Sequence, residues 1–394
     1  MPSVNPAILK WARESSGMSL EDAARVLKIA SADTLASLEA GDKAPSRPQL
    51  LNMAKAYRRP LLTFYLAAPP ERGDRGEDFR NLPADRAARD EALADVLVRD
   101  FKARQGLIKA TLIDEDEQKP LPFVGSISMA GGVEQATRAI AETLNFDRAD
   151  FRSAGTVEKA FAYLRERVEA AGVFVLLAGD LGSHHTEIPV EVFRGFVIAD
   201  EIAPLVVVND RDAKSAWSFT LLHEVVHLWL GASGISGTRS ERAIERFCND
   251  VAGELLLPTG DLDKLISTVP QDPESLINAI TPVAQALRVS RAMVAYKLLR
   301  VGRLLPGVWR AADDRLRQQW QREREAQRTR PQDKGSGPSY YVVRRHRLGA
   351  ALLGFARRSL EAGSLSPTRA ARVLGVKPRS VYPLLELALA KGAG

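Results

Sequence analysis

The 394-residue sequence predicts an α+β fold that is mainly helical and contains one small β-sheet. Apolar residues recur at helical spacing along much of the chain, and residues that favour helix caps precede several of these segments. Three β-branched or aromatic runs, 172–177, 193–199 and 204–209, are bounded by Gly, Asp and Pro and therefore predict strands. They precede a strongly apolar segment, 218–231, which predicts a buried helix.

Composition points to an ordinary globular protein of two or three domains, with 45% hydrophobic and 26% charged residues. The single cysteine, Cys248, excludes an internal disulfide and is typical of a reducing compartment. The N-terminus lacks a basic-then-apolar signal, and the apolar run 61–68 is too short to span a bilayer. We therefore expect a cytoplasmic protein that has no membrane partner.

The net charge of +6 is distributed unevenly along the chain. Residues 310–394 contain 18 Lys or Arg and 7 Asp or Glu, a balance of +11, so the remainder carries about −5. Such a basic segment can bind phosphates. A solvated basic surface has the same composition, so both interpretations stay open.

Residues 5–66 predict five short helices, of which Pro6 begins the first, Ser19 caps the second and Ser46 caps the fourth. The segment 19–57 resembles the XRE-type helix-turn-helix of lambda-repressor-like proteins. The residues that carry this resemblance are Ala23, Ala24, Leu27, Leu35, Leu38, Gly41, Pro45 and Leu50. The resemblance implies that a third helix, at about 31–40, enters the major groove of DNA.

Short side chains dominate this third helix, which offers no Arg, Lys, Asn or Gln to read bases. The candidate DNA contacts are Lys28, Ser31, Thr34, Ser37, Lys43 and Arg47. Glu21, Asp22 and Asp33 would repel phosphates. A DNA-binding domain and a protein-docking or dimerising module of the same shape therefore both remain open, and DNA and a second copy of the chain are both candidate partners.

The next segment, 67–91, is charged and rich in Pro and Gly, which predicts a linker. Helical periodicity follows at 91–109, 134–144 and 156–171, with Thr156 as a predicted N-cap. The three predicted strands come next. An edge strand can hold an extended peptide by main-chain hydrogen bonds. We expect Val206, Val207, Val208 and Asn209 to form that edge, and a plain core sheet is the alternative interpretation that stays open for each of them.

The apolar helix 218–231 carries His223, Glu224 and His227 in the order H-E-x-x-H. Residues four apart share one helix face, so the two imidazoles can bind one metal ion. Glu224 follows the first histidine, and its carboxylate can reach a water molecule beside the metal without binding the metal. A chance match with two core histidines is the alternative, although burying them without a partner is costly.

A catalytic zinc needs a third protein ligand. Leu230 and Ser233 exclude the extended motif with a third histidine on the same segment. The next predicted helix, 240–257, offers three carboxylates, Glu241, Glu245 and Glu254. Glu245 and Asn249 stand four apart on one face of that helix, so two packed helices could present His, His and Glu to one ion.

The stretch 193–258, with FRGFVIADEIAPLVVVN, FTLLHEVVHLWLG and ERFCNDVAGELLLP, resembles the ImmA/IrrE family of metallopeptidases. The resemblance implies a zincin-like domain of the gluzincin type, in which His223, His227 and Glu245 bind the metal and Glu224 is the general base. Asn249 could orient a ligand. Cys248 departs from the Ala that many members have. Zn²⁺ suits these ligands, and Mn²⁺ or another divalent metal would bind the same set.

The same resemblance implies an endopeptidase that cleaves a repressor or another partner protein and so switches transcription in stress response, phage or mobile-element control. The alternative is a DNA-binding regulator or antitoxin-like protein whose metal site is not proteolytic. An intact Glu224 favours the enzyme, because a structural zinc site needs no base.

Two further helix-turn-helix-like units are predicted, at 281–302 and 365–385, and a charged helix that runs into a PQDKGSGP joint separates them. Arg369, Arg372, Lys377 and Arg379 make the last unit the more basic, so it could contact nucleic acid. We expect a helix-turn-helix domain at 1–66, the linker at 67–91 and the peptidase domain at 92–260. Helical segments follow at 261–309, 310–338 and 339–394.

Overall fold

The computed structural model describes residues 4–70, 88–181, 186–231, 238–329 and 338–386. Most of the linker predicted at 67–91 and of the joint that ends at 338 lies outside these residues. The chain forms two compact units. The first unit contains Met1–Ala103 and Asp180–Phe193, and the second contains Arg104–Gly179 and Arg194–Gly394.

The first unit begins with four α-helices and a 3-10 turn, where five helices were predicted. They are α1 (Pro6–Glu14), α2 (Leu20–Leu27), α3 (Ala32–Ala40), α4 (Arg47–Ala56) and the turn Leu61–Tyr65. A core of fully buried side chains joins them, including Ile8, Leu35, Met53, Tyr57 and Phe64. α5 (Ala88–Asp114) begins in this unit and ends in the second.

Side-chain caps define where the helices of this module begin. The predicted caps Ser19 and Ser46 are confirmed, because each hydroxyl accepts a hydrogen bond from the backbone N–H three residues later. Ser31 caps α3 in the same way and also bonds the Thr34 hydroxyl at 3.0 Å. These are the local signals that make 31–40 a helix.

The second unit contains three strands and most of the helices. They are α6 (Gly132–Leu144), α7 (Arg148–Ser153), α8 (Val157–Ala170), β1 (Phe174–Leu177), β2 (Gly195–Ile198), β3 (Leu205–Val208), α9 (Lys214–Leu230), α10 (Thr238–Leu256), α11 (Thr259–Leu265), α12 (Pro273–Leu287), α13 (Arg291–Arg300), α14 (Pro306–Thr329), α15 (Tyr340–Glu361), α16 (Pro367–Leu374) and α17 (Val381–Glu386). The α+β prediction is confirmed, as is the Thr156 cap on α8. Among the described helices, none is both long and apolar enough to cross a membrane.

The sheet has the order β1-β3-β2, so β3 is its central strand. It pairs in parallel with β1 and antiparallel with β2. The prediction that Val206, Val207, Val208 and Asn209 form an edge is therefore wrong. All four residues are fully buried, as expected for a continuous apolar run, which is typical of a strand covered on both faces. The edges belong to β1 and β2.

α9 packs against the sheet and against α10, at the centre of the second unit. Twelve of its seventeen residues are buried, so the helix lies inside the core rather than on the surface. α10 places Phe247, Cys248, Val251 and Leu255 into the same core. The H-E-x-x-H motif is thus held by packing on every side of its helix.

The C-terminus of α9 is fixed by the segment that precedes α6. Gly231 ends the helix in the left-handed conformation, with φ of 64°. The N–H groups of Gly125 and Ile127 donate to the last carbonyls of the helix. The Phe123 ring stacks on Trp229, with centroids 4.1 Å apart. These contacts satisfy backbone acceptors that a buried helix end would otherwise leave unpaired.

α15 packs against β1, where Phe355 lies edge-on to Phe174 with ring centroids 5.9 Å apart. The helix is interrupted at Gly349, whose φ of 79° and ψ of 167° are not helical. This break exposes backbone groups within a buried contact, and buried groups of that kind need partners.

An ion pair on α8 supplies the partners for the break in α15. The side chains of Arg165 and Glu169 are both buried, and Nε of Arg165 lies 3.1 Å from Oε1 of Glu169. The guanidinium donates to the carbonyls of His346 and Arg347, and the carboxylate accepts from the N–H groups of Ala350 and Ala351. Four backbone groups of α15 are therefore satisfied by two side chains of α8.

The close approach of Gly231 to Gly125 predicts a specific loss of stability. A Cβ at residue 231 would lie 2.9 Å from the Gly125 Cα, whereas a Cβ at Gly302 would meet open space. Both glycines have positive φ, so alanine at either costs about 1 kcal/mol of conformational energy. We expect Gly231→Ala to lower the free energy of unfolding by about 2–3 kcal/mol and Gly302→Ala by about 1 kcal/mol. Urea unfolding of both variants measures the difference, and equal losses would contradict this account of the helix end.

Candidate metal centre

Packing of α9 against α10 brings three candidate ligand atoms together. The Nε2 atoms of His223 and His227 lie 3.1 Å apart. Each also lies 3.2 Å from one carboxylate oxygen of Glu245. Oε2 faces His223 and Oε1 faces His227. The candidate ligand atoms of the three residues all lie within 4.8 Å of one another, so the cluster could hold a metal ion.

The spacing of these atoms is close to the spacing of ligands around a small divalent cation. Metal–ligand distances of about 2.0–2.2 Å in tetrahedral geometry place neighbouring donors about 3.3–3.6 Å apart. Oε1 of Glu245 is buried and makes no hydrogen bond, although it lies 3.2 Å from His227 Nε2. Two nitrogen donors and one such oxygen suit Zn²⁺ and its divalent neighbours.

Asn249 fixes the orientation of the first imidazole. Its Oδ1 lies 3.0 Å from Nδ1 of His223. An amide oxygen only accepts hydrogen bonds, so Nδ1 carries a proton. In the neutral imidazole, Nε2 is then the nitrogen that can bind a metal. Asn249 stands one helical turn after Glu245 on α10, so a single helix face supplies both a ligand and its orienting group.

Glu245 is poised to bind a cation. Burial raises the pKa of its carboxyl, but the two imidazoles beside its oxygens outweigh burial and hold that pKa well below the ordinary value. The carboxylate is therefore ionised at neutral pH. Glu254 is used elsewhere, because it binds Lys297 and the Thr259 hydroxyl. The side chain of Glu241 lies outside the described residues.

Glu224 is buried beside the histidines on α9 and packs against strand β2. A Cβ at Gly195, the first residue of β2, would lie 2.8 Å from Oε1 of Glu224 and 2.7 Å from Cγ2 of Thr220. Only glycine leaves room for the carboxylate here. Gly195 was not among the predicted site residues, although a glycine within a strand is a signal of close approach.

The remaining candidate residues do not belong to the cluster of candidate metal ligands. Within the first unit, Lys28, Ser31, Lys43 and Arg47 are exposed, while Thr34 and Ser37 are half-buried. Asn209 is buried after β3, where its Oδ1 accepts from the Arg211 N–H at 2.9 Å.

Two segments of the chain match known families. A site that gathers two imidazoles and a carboxylate is typical of a metallopeptidase-type fold. Residues 178–299 match the IrrE N-terminal-like domain of peptidase family M78, and residues 7–62 match a helix-turn-helix domain. The chain therefore fuses a helix-turn-helix domain to a domain of the ImmA/IrrE type. No curated protein and no solved structure matches the chain significantly.

Removing one ligand should abolish metal binding. We expect Glu245→Ala to lose most bound divalent metal, because two imidazoles alone leave the ion without its anionic ligand. Asp250→Ala is the matched control, since Asp250 lies on the same helix and pairs with Arg300. Metal content after dialysis against Zn²⁺, measured by plasma mass spectrometry, compares the two variants. Equal metal content in Glu245→Ala and the parent would refute the ligand assignment.

Proposed function

We propose that this protein is a zinc-dependent endopeptidase that regulates transcription by cleaving a partner protein. The observation that carries the proposal is the cluster of His223, His227 and Glu245 on the helix pair that also holds the buried Glu224. A purely structural zinc site is usually closed by a fourth protein ligand and needs no adjacent base. This site has three candidate ligands and a further carboxylate, which is the composition of a hydrolytic centre.

The chain's own residues supply the rest of the chemistry. Zinc, when bound, acts as a Lewis acid that activates water at neutral pH. His223, His227 and Glu245 would hold the ion, and Asn249 keeps His223 in the tautomer that can bind it. Glu224 takes a proton from the attacking water and delivers it to the leaving amine.

Strand β2 is suited to hold the substrate peptide. β2 is an edge strand of the sheet: among the described strands, it pairs with β3 along one side only. The Asn209 N–H donates to the Arg194 carbonyl. Along an antiparallel ladder, residues that bond the partner strand alternate with residues whose main-chain groups point away from it. The main-chain groups of Gly195 and Val197 therefore point away from β3. An extended peptide that pairs with them would lie beside Glu224, which packs on Gly195.

Fusion to a helix-turn-helix domain supports a regulatory role and a protein substrate such as a repressor. The helix-turn-helix match also favours a second function, DNA binding by the same chain. Both functions can belong to one regulator, in which DNA binding places the protease near its target. Protection of DNA by a protein that cleaves nothing would favour the second function alone.

The general base gives the sharpest test of proteolysis. We expect Glu224→Gln to retain metal but to lower cleavage by a hundredfold or more, because proton transfer typically contributes about 10²–10⁴. Cell extract treated with the zinc-loaded parent or with the variant can be compared by mass spectrometry of new protein N-termini. If the protein is a protease, new protein N-termini should appear with the parent and not with Glu224→Gln. Identical termini with both proteins would end the proposed mechanism.

Gly195→Ala tests the close contact between β2 and the base. The added methyl group must displace the Glu224 carboxylate, so we expect cleavage to fall by about tenfold to a hundredfold while metal is retained. Gly253→Ala is the control, because a Cβ there meets only Lys297 Cδ at 3.8 Å. Cleavage of a substrate found by the terminus analysis gives the rates. A Gly195→Ala rate equal to that of Gly253→Ala would show that the contact does not position Glu224.

A further inference from the structure

The C-terminal helices α15, α16 and α17 lie outside both family matches, which cover 7–62 and 178–299. α16 and α17 are joined by a short turn and pack against α15 and against each other. No function is assigned to this region by the metal centre or by the helix-turn-helix match. Its exposed surface nevertheless carries several basic side chains.

α16 separates apolar from basic residues. Its buried face contains Ala370, Ala371, Val373 and Leu374. Arg369 and Arg372 stand three residues apart and are exposed, so they share the face that points away from the core. The helix is anchored by its apolar side, and its two arginines are presented to solvent.

The turn after α16 extends this surface. Lys377 and Arg379 are both exposed, while Ser380 and Val381 are buried and hold the turn against the helices. Tyr382, in the first turn of α17, is 54% exposed. We call the surface formed by these four cations the C-terminal basic surface; it consists of Arg369, Arg372, Lys377 and Arg379.

The four cations of this surface have no carboxylate within ion-pair distance among the described residues. Other arginines nearby are already engaged. Arg347 binds Asp210 at 2.6 Å, and Arg344 donates to the Gly375 carbonyl. The C-terminal basic surface is therefore a set of unpaired charges on a packed scaffold, which is the arrangement that attracts phosphates.

The N-terminal helix-turn-helix has the opposite balance. Residues 19–43, which span α2 and α3, contain three Lys or Arg and five Asp or Glu. Residues 366–386 contain four Lys or Arg and one Asp or Glu. Arg25 also pairs with Asp22, so this cation and this carboxylate offset each other. By charge alone, phosphates should favour the C-terminal unit over the domain that matches the DNA-binding family.

We propose that the C-terminal basic surface binds the phosphate backbone of double-stranded DNA. The arrangement of α16, turn and α17 follows the plan of a helix-turn-helix, in which the first helix crosses the backbone and the second approaches the groove. Cations on the first helix and in the turn then meet the backbone, and Tyr382 is placed to donate to a phosphate or sugar. This inference is independent of proteolysis.

The experiment compares three charge-removal variants of the full chain by fluorescence anisotropy with a mixed-sequence duplex of about 20 base pairs, an order of size set by helix-turn-helix sites. The first replaces Arg369, Arg372, Lys377 and Arg379 by Gln. The second replaces Lys28, Lys43 and Arg47 by Gln. The matched control replaces four exposed cations elsewhere, Lys119, Lys159, Lys264 and Arg322.

We expect the C-terminal variant to bind the duplex at least about tenfold more weakly than the parent at 0.1 M salt. The slope of log affinity against log salt should become shallower by about 3.6, because each of four lost phosphate contacts contributes about 0.9. The control should change neither quantity. Replacing the three arginines of the surface by lysine should retain most of the affinity, because phosphates require charge. Circular dichroism checks that each variant is folded.

Several outcomes would overturn the proposal. They are an affinity of the C-terminal variant equal to that of the control, a loss confined to the N-terminal variant, tighter binding of a double-stranded RNA of the same length, and no binding of nucleic acid by the parent. A surface that serves an acidic protein partner would give the last result. Cleavage by the metal centre is measured separately, so failure here leaves proteolysis untouched.

Discussion

The contact between α9 and α10 is the constraint on which the candidate site depends. Each helix is largely apolar where the two meet, so burial of that surface drives them together. The same packing forces His223, His227 and Glu245 into the interior, where uncompensated polar groups are costly. A shared cation would lower that cost, because all three side chains could bind it. Site and core are therefore one packing arrangement, and metal binding should stabilise the fold that creates it.

Elements distant in sequence complete what the two helices begin. The segment around Gly125 pairs with the last carbonyls of α9 and sets the depth at which that helix ends. Gly195 lets strand β2 approach Glu224 more closely than any other residue would permit. Neither residue binds the metal in the proposed site. Gly125 contacts the end of the helix, and Gly195 contacts the carboxylate of Glu224.

Local patterns predicted much of this arrangement. The spacing of His223 and His227 is a property of one helix, and caps such as Ser19 and Thr156 act within three residues. The order of strands in a sheet is not local, so nothing near Val206 indicated that β1 and β2 would flank it on both sides. Its unbroken apolar run did indicate burial on both faces, and that signal should have outweighed the expectation of an edge. The break at Gly349 depends on α8, some 180 residues earlier, and was also beyond local pattern.

The Arg165–Glu169 pair explains why α15 can bend where it does. A buried ion pair often adds little net stability, because desolvation offsets attraction. Here its atoms also satisfy four backbone groups that the break at Gly349 frees. The pair therefore favours this docking of α15 on β1. α16 and α17 pack on α15, so the C-terminal basic surface has a defined position relative to the helix that carries the histidines.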